Sequence, residues 1–241
     1  MEKLVYVLWK SDALSAEGFK REMLARVAPQ LIDLGARRLS TNIADEHSAY
    51  ANHLRITQMG DDFPSATVSF WLDTHLDRAP LERALGEAAK RVAGYLVVES
   101  VPIVNRKHPP GDDERIPALC TIAMLEKPAA MDYEAWREQW QGHHTKVAIE
   151  TQSTFLYIQN VVVRALTANA PPWTAIVEEC FPPEAATDPM VFYAAGSKEK
   201  LEENQRRMID SCRKFIDFAT LESHPMSAYV LKGPRRAASD E

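Results

Sequence analysis

The sequence predicts an α+β protein in which two fused ferredoxin-like βαββαβ units pack sheet to sheet as a barrel within one chain. Three observations lead to this fold class. The chain has 241 residues, which is enough for two units of roughly 115 residues each. Its two halves resemble each other in sequence. In each half the hydrophobic residues change between the period of a strand and the period of a helix.

The internal similarity has two registers. Residues 8–20 align without a gap with residues 125–137 at an offset of 117, so that Phe19 corresponds to Trp136. At an offset of 123, the matches are residues 99–102 with 222–225, Val68 with Val191, and Phe70 with Tyr193. Because both ends of the unit agree in order, these matches together predict a duplication, with about six extra residues in the second half.

The first half begins with the apolar run 4–9, which predicts a strand. Ser15 is a suitable N-cap for the next helix, whose apolar residues recur at spacings of three and four until Gly35 ends it. The remaining predicted elements are strands at 38–44, 67–72 and 95–104 and a helix at 76–92. This order gives a four-stranded antiparallel sheet with two helices on one face, and a second copy can cover its other face.

The second half repeats this order. Its predicted strands lie near 119–125, 155–164, 174–181, 190–194 and 220–231, and its predicted helices near 132–149 and 198–218. Prolines, a glycine and a charge run between the halves are typical of an exposed connection. The chain is therefore divided into a first repeat at 1–106, a linker at 107–116, a second repeat at 117–232 and a flexible tail at 233–241.

The composition narrows the choice of partners. A net charge of −6 and the lack of a long basic run argue against nucleic acid and anionic membranes. There is no signal-peptide pattern and no uninterrupted apolar stretch near ~18 residues, so a cytoplasmic location is expected. The cysteines at 120, 180 and 212 lack metal-binding spacing, so buried free thiols and no metal site are expected.

Positions at which the two halves differ indicate where a function was kept. The first register places Val27 opposite His144, and the second places Val101 opposite His224. Since a valine suffices in the first half, a purely structural role does not require the titratable ring. These contrasts predict one active pocket per chain, in the second half, and a degenerate site in the first.

His144 lies on the aromatic face of a predicted helix. Tyr133, Trp136, Trp140 and His144 follow helical spacing and share that face, where the aromatic residues are either pocket walls or plain core. Among indole rings with little water, the neutral imidazole is favoured and its pKa is expected to fall. A neutral imidazole can take a proton from a carbon acid or polarise a hydroxyl. The structural alternative is a core histidine bonded to a backbone carbonyl.

Further candidate residues lie on the predicted strands. Tyr157 and Gln159 share one face by alternation, and two polar side chains on an inward face need partners. They either orient a carbonyl or phenolic substrate or bond one another. Tyr193 and His224 are further candidates for substrate binding, from the remaining strands.

A family resemblance rests on a short motif. The stretch from Lys127-Pro128 to His144, with Trp140 four residues before the histidine, is similar to the EthD-like family of the dimeric α/β-barrel superfamily. Residues 157–160, Tyr-Ile-Gln-Asn, also resemble the second-strand motif of that family. Taken as a tandem, the resemblance covers nearly the whole chain.

The first half departs from the family pattern, because Met23 and Val27 stand where the family has Trp and His. For the second half, the resemblance implies a pocket between the helices and the sheet. Superfamily relatives are small cofactor-free enzymes that act on phenolic or polyketide-like compounds. They include cyclases, isomerases, lyases, dehydratases and monooxygenases, and some branches bind haem.

The leading hypothesis is a cofactor-independent lyase or isomerase that acts on a hydrophobic aromatic or polyketide-like carbonyl compound. His144 would be the general base and acid, Tyr157 and Gln159 would position the carbonyl, and aromatic residues would wall the pocket. One rival is a monooxygenase of aromatic compounds, cofactor-free or haem-binding. The other is a non-catalytic small-molecule binding protein. The chain is expected to be a homodimer or a monomer with an internal pseudo-dimer.

Overall fold

The computed structural model describes residues 1–109, 111 and 114–231. The predicted tail at 233–241 and parts of the predicted linker lie outside these residues. None of the helices in the described chain combines the length and the hydrophobicity needed to cross a membrane.

The first half contains four strands and a layer of helices. Its helix after β1 begins at Ser15, whose hydroxyl accepts the Gly18 N–H at 3.0 Å, and passes through wider π-helical turns at Met23–Val27. The elements are β1 (Glu2–Lys10), α1 (Ala16–Glu22), α2 (Ala28–Asp33), β2 (Arg37–Ile43), β3 (Ala66–Leu72), α3 (Ala79–Gly86) and β4 (Ala89–Ile103), with 3₁₀ turns at Ala49–Leu54 and His75–Arg78.

The second half has the same plan with a short extra strand before it. Asp132 caps its first helix by accepting the Ala135 N–H at 3.0 Å, and π-helical turns follow at Glu138–His144. The elements are β5 (Glu114–Arg115), β6 (Leu119–Leu125), α4 (Tyr133–Arg137), α5 (Thr145–Thr151), β7 (Leu156–Ala165), β8 (Ala175–Phe181), α6 (Pro189–Phe192), α7 (Lys198–Cys212) and β9 (Glu222–Val230), with a 3₁₀ turn at Pro183–Ala186.

The strands form one antiparallel sheet in the order β2-β3-β1-β4-β7-β8-β6-β9, and β2 also pairs with β9. The sheet therefore closes into an eight-stranded barrel, with β5 added beside β9. This confirms the predicted α+β barrel. Each half supplies four neighbouring strands in corresponding order, and the seams between halves are β4 with β7 and β2 with β9.

Alternation along the strands separates two environments. Val5, Val7 and Trp9 of β1 and Ile122 and Met124 of β6 belong to one cluster inside the barrel. The intervening residues face outward and are covered by the helix layers, which form two further hydrophobic clusters. Tyr229 and Leu231, from the end of the second half, belong to the cluster of the first half. The two outer clusters share no residue.

The register of the second repeat differs from the sequence prediction. The predicted strand at 190–194 is instead the short helix α6, which Asp188 caps and Pro189 begins. The strand that pairs with β6 is β8, as β3 pairs with β1. The second-half counterpart of β3 is therefore residues 175–181, and the match of Phe70 with Tyr193 is wrong. The pairing of Val101 with His224 is also wrong.

The strand registers identify the residue of the first half that corresponds to His224. In the first half Val5 lies opposite Tyr95, and in the second half Ile122 lies opposite His224. Val5 and Ile122 are related by the offset of 117, so Tyr95 is the counterpart of His224. Both predicted second helices were also too long, because β4 already begins at Ala89 and α7 ends at Cys212.

The expectation of three free thiols is wrong for two of the cysteines. Cys120 of β6 and Cys180 of β8 lie directly opposite each other, with Cα atoms 4.2 Å apart, and form a disulfide. The two residues are 60 positions apart in sequence, and only the strand register brings them together. Cys212 is a free cysteine.

Gly94 provides a test of the packing in the first half. It lies opposite Tyr6 across β1 and β4, and a Cβ added at Gly94 would stand 2.4 Å from Tyr6 Cε1. We expect Gly94→Ala to lower the free energy of unfolding by about 1–3 kcal/mol, because the buried ring has to move. Urea denaturation measures this. The control is Gly86→Ala in α3, where an added Cβ meets nothing within 4 Å. An equal effect of both changes would contradict the packing described.

Candidate functional site

A cavity of about 610 Å³ lies between the sheet and the helices of the second half. Its floor is formed by outward-facing residues of β6, β7 and β8, and its roof by the π-helical segment and α7. The aromatic and polar lining consists of Trp140, His144, Gln152, Tyr157, Glu179, Phe192, Tyr193, Cys212, Arg213, Phe215, Phe218 and Ser223.

The cavity exists because two large rings of the first half are absent here. Tyr6 and Phe70 are fully buried and stack with centroids 5.5 Å apart, which fills the space between sheet and helices. The offset of 117 relates Tyr6 to Ala123. Strand pairing relates Phe70 to Glu179, because Leu4 lies opposite Phe70 as Thr121 lies opposite Glu179. An alanine and a carboxylate therefore replace two stacked aromatic rings.

The first half has a cleft elsewhere. Its cleft, of about 720 Å³, lies beside the start of α1 and is lined by charged side chains that include Lys20, Asp45 and Arg55. Lys20 pairs there with Glu46 and Asp45. Val27, the counterpart of His144, is fully buried in the hydrophobic cluster of that half. The cleft is thus not the counterpart of the second-half cavity.

His144 stands at the end of the π-helical segment and is 8% exposed. Its Nδ1 is 3.0 Å from the Ser211 hydroxyl of α7, and its ring packs on Phe215 at 4.7 Å. Burial, assisted by the nearby His143, lowers the pKa of His144 to about 4. The ring is therefore neutral at physiological pH. In the described chain Nε2 has no hydrogen-bond partner, which leaves it available to a ligand.

Tyr157 is held by a chain of hydrogen bonds on the floor of the cavity. The Gln159 amide donates to the Tyr157 hydroxyl at 2.9 Å and to the Thr145 hydroxyl at 2.8 Å. Thr145 in turn donates to the Trp140 carbonyl at 3.1 Å. Burial raises the pKa of Tyr157 well above its usual range. Because its oxygen accepts from Gln159, the phenolic proton can be donated to a ligand.

Glu179 is a functional candidate that the sequence reasoning missed. It lies opposite Tyr157 in the β7–β8 pairing and lines the cavity. Burial raises the pKa of its carboxyl to about 7. The signal was present in the sequence, because Glu178 and Glu179 interrupt an otherwise apolar predicted strand.

The structure brings four of the eight predicted site residues to the cavity, namely Trp140, His144, Tyr157 and Tyr193. The other four lie elsewhere. Tyr133 is 43% exposed on the outer surface, and Trp136 is buried behind Trp140 with its indole N–H bonded to the Phe215 carbonyl at 3.1 Å. Gln159 is behind Tyr157 rather than in the lining. His224 faces the barrel interior, where its Nε2 is 2.8 Å from Glu222.

The electrostatics of the cavity suit an uncharged ligand. Within the described chain, Arg213 is the single Lys or Arg side chain in the lining, and its guanidinium is 3.6 Å from Asp210. A haem carries two propionates, for which this lining offers no pair of cations, so the residues fit it poorly. No group of three or more His, Cys, Asp and Glu among the described residues is arranged to hold a metal ion.

Comparisons with known proteins agree with the fold. Residues 128–219 match the family model of the EthD domain. No curated protein shows significant sequence similarity to the chain. An anthrone oxidase-like protein of known structure superposes with a TM-score of 0.56 at 12% identity, covering 99% of this chain and 96% of that one. A Lactobacillus acidophilus NCFM protein, provisionally described as a monooxygenase, gives 0.51 at 8% identity and covers 97% of each chain.

The fold is therefore that of the dimeric α/β-barrel proteins, here closed within a single chain. The residues that match the EthD domain model lie in the second half and include most of those that line the cavity. At such low identities the two structural relatives establish the fold alone.

His144 gives the site a measurable effect on stability. Its pKa falls from 6.5 to about 4 on folding, so between these values the unfolded state binds more protons. Above pH ~6.5 the ring is neutral in both states; as pH falls towards ~4, proton uptake by the unfolded state lowers the free energy of unfolding, by at most about 3 kcal/mol. Urea unfolding across this range should show a smaller loss for His144→Gln than for the unsubstituted chain. The exposed neighbour provides the control, His143→Gln. Identical pH dependence in all three proteins would contradict a buried neutral His144.

Proposed function

We propose that this protein is a cofactor-independent lyase or isomerase that acts by acid–base chemistry on an uncharged aromatic or polyketide-like carbonyl compound. The observation that carries the proposal is a neutral imidazole with a free Nε2 in an aromatic-lined cavity. The first half of the same chain fills the equivalent space with Val27, Tyr6 and Phe70. The chemistry is thus assigned to the second half.

In this proposal His144 is the general base. A neutral imidazole whose Nδ1 is fixed by Ser211 presents Nε2 in one orientation, as a base that removes a proton from carbon requires. The Tyr157 hydroxyl donates a hydrogen bond to the substrate carbonyl and stabilises the enolate that forms. Trp140 and Phe215 pack against the rings of the substrate and exclude water.

The rate enhancement expected from one acid–base group is adequate for an activated substrate. One positioned acid–base group typically contributes about 10²–10⁴-fold to the rate. Elimination of water from a β-hydroxy ketone, or movement of its enol proton, needs little more than that when the product is an aromatic ring. No fixed charge in the lining is required, because the substrate is neutral.

A second candidate function is a cofactor-free monooxygenase. The observation that favours it is the nature of the structural relatives, one anthrone oxidase-like and one provisionally described as a monooxygenase. The same proton abstraction would start such a reaction. The resulting carbanion would react with O₂, and a ring CH₂ group would become a carbonyl with release of water.

We also infer that the two halves arose by duplication of one ferredoxin-like unit. The corresponding strand orders and the helix position shared by Val27 and His144 support this inference. A chain that closes its own barrel has no open sheet edge along which a second copy would complete the fold. We therefore propose a monomer with an internal pseudo-dimer, which size-exclusion chromatography with light scattering tests.

The central test uses 3-hydroxy-1-tetralone, which loses water to give the fluorescent product 1-naphthol, together with a panel of phenolic ketones and anthrone. We expect His144→Ala to lower turnover by at least ~10²-fold while the circular dichroism spectrum is unchanged, because the base is lost but the fold is not. The matched control is His143→Ala, the exposed neighbouring histidine, which should retain activity.

An oxygen electrode in the same assays separates the candidates. Turnover without O₂ consumption supports the lyase or isomerase, whereas O₂ uptake coupled to product formation supports the monooxygenase. Ligand binding without turnover by the unsubstituted chain would leave a small-molecule binding protein. Undiminished turnover in His144→Ala would overturn the assignment of the base.

A further inference from the structure

We propose that Glu179 is a second catalytic residue of this cavity, a carboxylic acid that protonates the leaving hydroxyl of a β-hydroxy carbonyl substrate. The inference rests on the proposed function and deepens it. It selects dehydration from the lyase and isomerase reactions, and it names the substrate class as an uncharged cyclic β-hydroxy ketone.

The position of Glu179 follows from strand pairing. It lies opposite Thr121 of β6 and opposite Tyr157 of β7, so it stands in the middle of the cavity floor. Residues Ala175 and Val177 on the same face of β8 belong to the hydrophobic cluster under the helices. A carboxyl group in this row faces the space in which the substrate is proposed to bind.

No structural requirement explains a carboxyl at this position. The counterpart in the first half is Phe70, which packs the same space with an apolar ring. Buried carboxyl groups with a structural role are normally paired with a cation or hydrogen-bonded. In the described chain, Glu179 makes neither a side-chain hydrogen bond nor an ion pair. It therefore destabilises the fold relative to an apolar residue, as expected of a group kept for its chemistry.

The surroundings keep Glu179 able to donate a proton. The titratable groups that face it are the Tyr157 phenol and the Cys212 thiol, and burial raises the pKa of both, so that neither is ionised at neutral pH. Burial also raises the pKa of Tyr193, which lines the same cavity. Arg213 is paired with Asp210. With no cation to hold the carboxylate, burial raises the pKa of Glu179 to about 7.

The cavity thus contains an acid and a base whose pKa values are displaced in opposite directions. Burial lowers the pKa of His144, which leaves the imidazole unprotonated, and raises that of Glu179, which leaves the carboxyl substantially protonated. Two titratable groups separated in this way are the usual arrangement for paired acid and base roles.

The reaction can be written with all atoms accounted for. His144 Nε2 takes a proton from the carbon between the carbonyl and the carbinol, which gives the enolate that Tyr157 stabilises. The enolate electrons then form the C=C bond as the C–O bond breaks, and with 3-hydroxy-1-tetralone the resulting enone tautomerises to 1-naphthol. Glu179 gives its proton to the departing oxygen, which leaves as water. The imidazolium and the carboxylate then exchange one proton through solvent and return to their starting states. No oxidant, reductant or metal takes part.

The test compares Glu179→Gln with Glu178→Gln. The neighbouring Glu178 has a raised pKa of its own but belongs to the opposite face of β8, inside the barrel. With 3-hydroxy-1-tetralone, Glu179→Gln should lower kcat at least ~10²-fold with KM changed by less than about threefold, because an amide keeps the shape but has no acidic proton. Glu178→Gln should keep kcat and a normal pH profile.

The pH profile provides a readout that a merely structural role would not move. In the unsubstituted chain kcat should fall as pH rises through about 7, because ionised Glu179 has no proton to give. The residual activity of Glu179→Gln should lack this alkaline limb. A limb that persists in the Gln variant would overturn the proposal.

Infrared difference spectroscopy measures the charge state without a substrate. A carbonyl band of a protonated carboxylic acid should appear between about pH 9 and pH 6, and the part of it that titrates with a pKa of about 7 should be lost in Glu179→Gln but kept in Glu178→Gln. A Glu179 carboxyl that titrates near the ordinary glutamate value overturns the proposal even if no compound is turned over.

A second variant, Glu179→Leu, keeps the test informative if Glu179→Gln does not fold. Glu179→Leu should raise the thermal unfolding temperature and still abolish dehydration, since it imitates the apolar first half. If His144→Ala is inactive while Glu179→Gln and Glu179→Leu are fully active, the proposed function stands and this inference falls. If all three are fully active, both fall.

Discussion

Closure of the sheet through two seams, β4 with β7 and β2 with β9, is the constraint on which the rest of the molecule depends. Closure removes the exposed strand edges and assigns one face of every strand to the barrel interior and the other to a helix layer. The two outer clusters beneath the helix layers share no residue. One half can be packed for stability while the other keeps a cavity, because the two helix layers share no core.

The cavity results from a small number of exchanges between corresponding positions. Replacement of Tyr6 by Ala123 and of Phe70 by Glu179 removes two rings, and replacement of Val27 by His144 adds an imidazole to the cavity lining. Buried polar groups without charge partners cost free energy. The first half has stacked rings at the corresponding positions, and its hydrophobic cluster and the one inside the barrel supply stability that this region does not.

Much of the fold was predictable from sequence because hydrophobic period and capping act locally. The offset of 117 holds from β1 through the first helix, so His144 was correctly placed opposite Val27. It fails beyond that point because loops of different length follow. Leu8 pairs with Ala66 and Leu125 with Ala175, which makes the offset 109 in the third strand, and it is 129 between Tyr95 and His224. A single offset of 123 could not describe both the third strand and the last strand of the repeat.

The residues that line the cavity could be predicted only in part, because strand register cannot be read from local sequence patterns. His144, Trp140 and Tyr157 could be found because a motif on one helix and one strand contains them. Glu179 required the register of β8 against β6 and β7, which depends on contacts distant in sequence. The disulfide between Cys120 and Cys180 was missed for this reason too. Gln159 was correctly expected to need a partner, and the partners are Tyr157 and Thr145.

The most direct test of the account is to return one first-half residue to the cavity, as Ala123→Tyr, and to measure binding of 1-naphthol by calorimetry. The ring should occupy the space that Tyr6 fills in the first half, so we predict a folded barrel of equal or higher unfolding temperature. Affinity for 1-naphthol should fall at least ~10-fold, which corresponds to about 1.4 kcal/mol. A folded variant that binds 1-naphthol as tightly as the unsubstituted chain would show that the ligand site lies elsewhere.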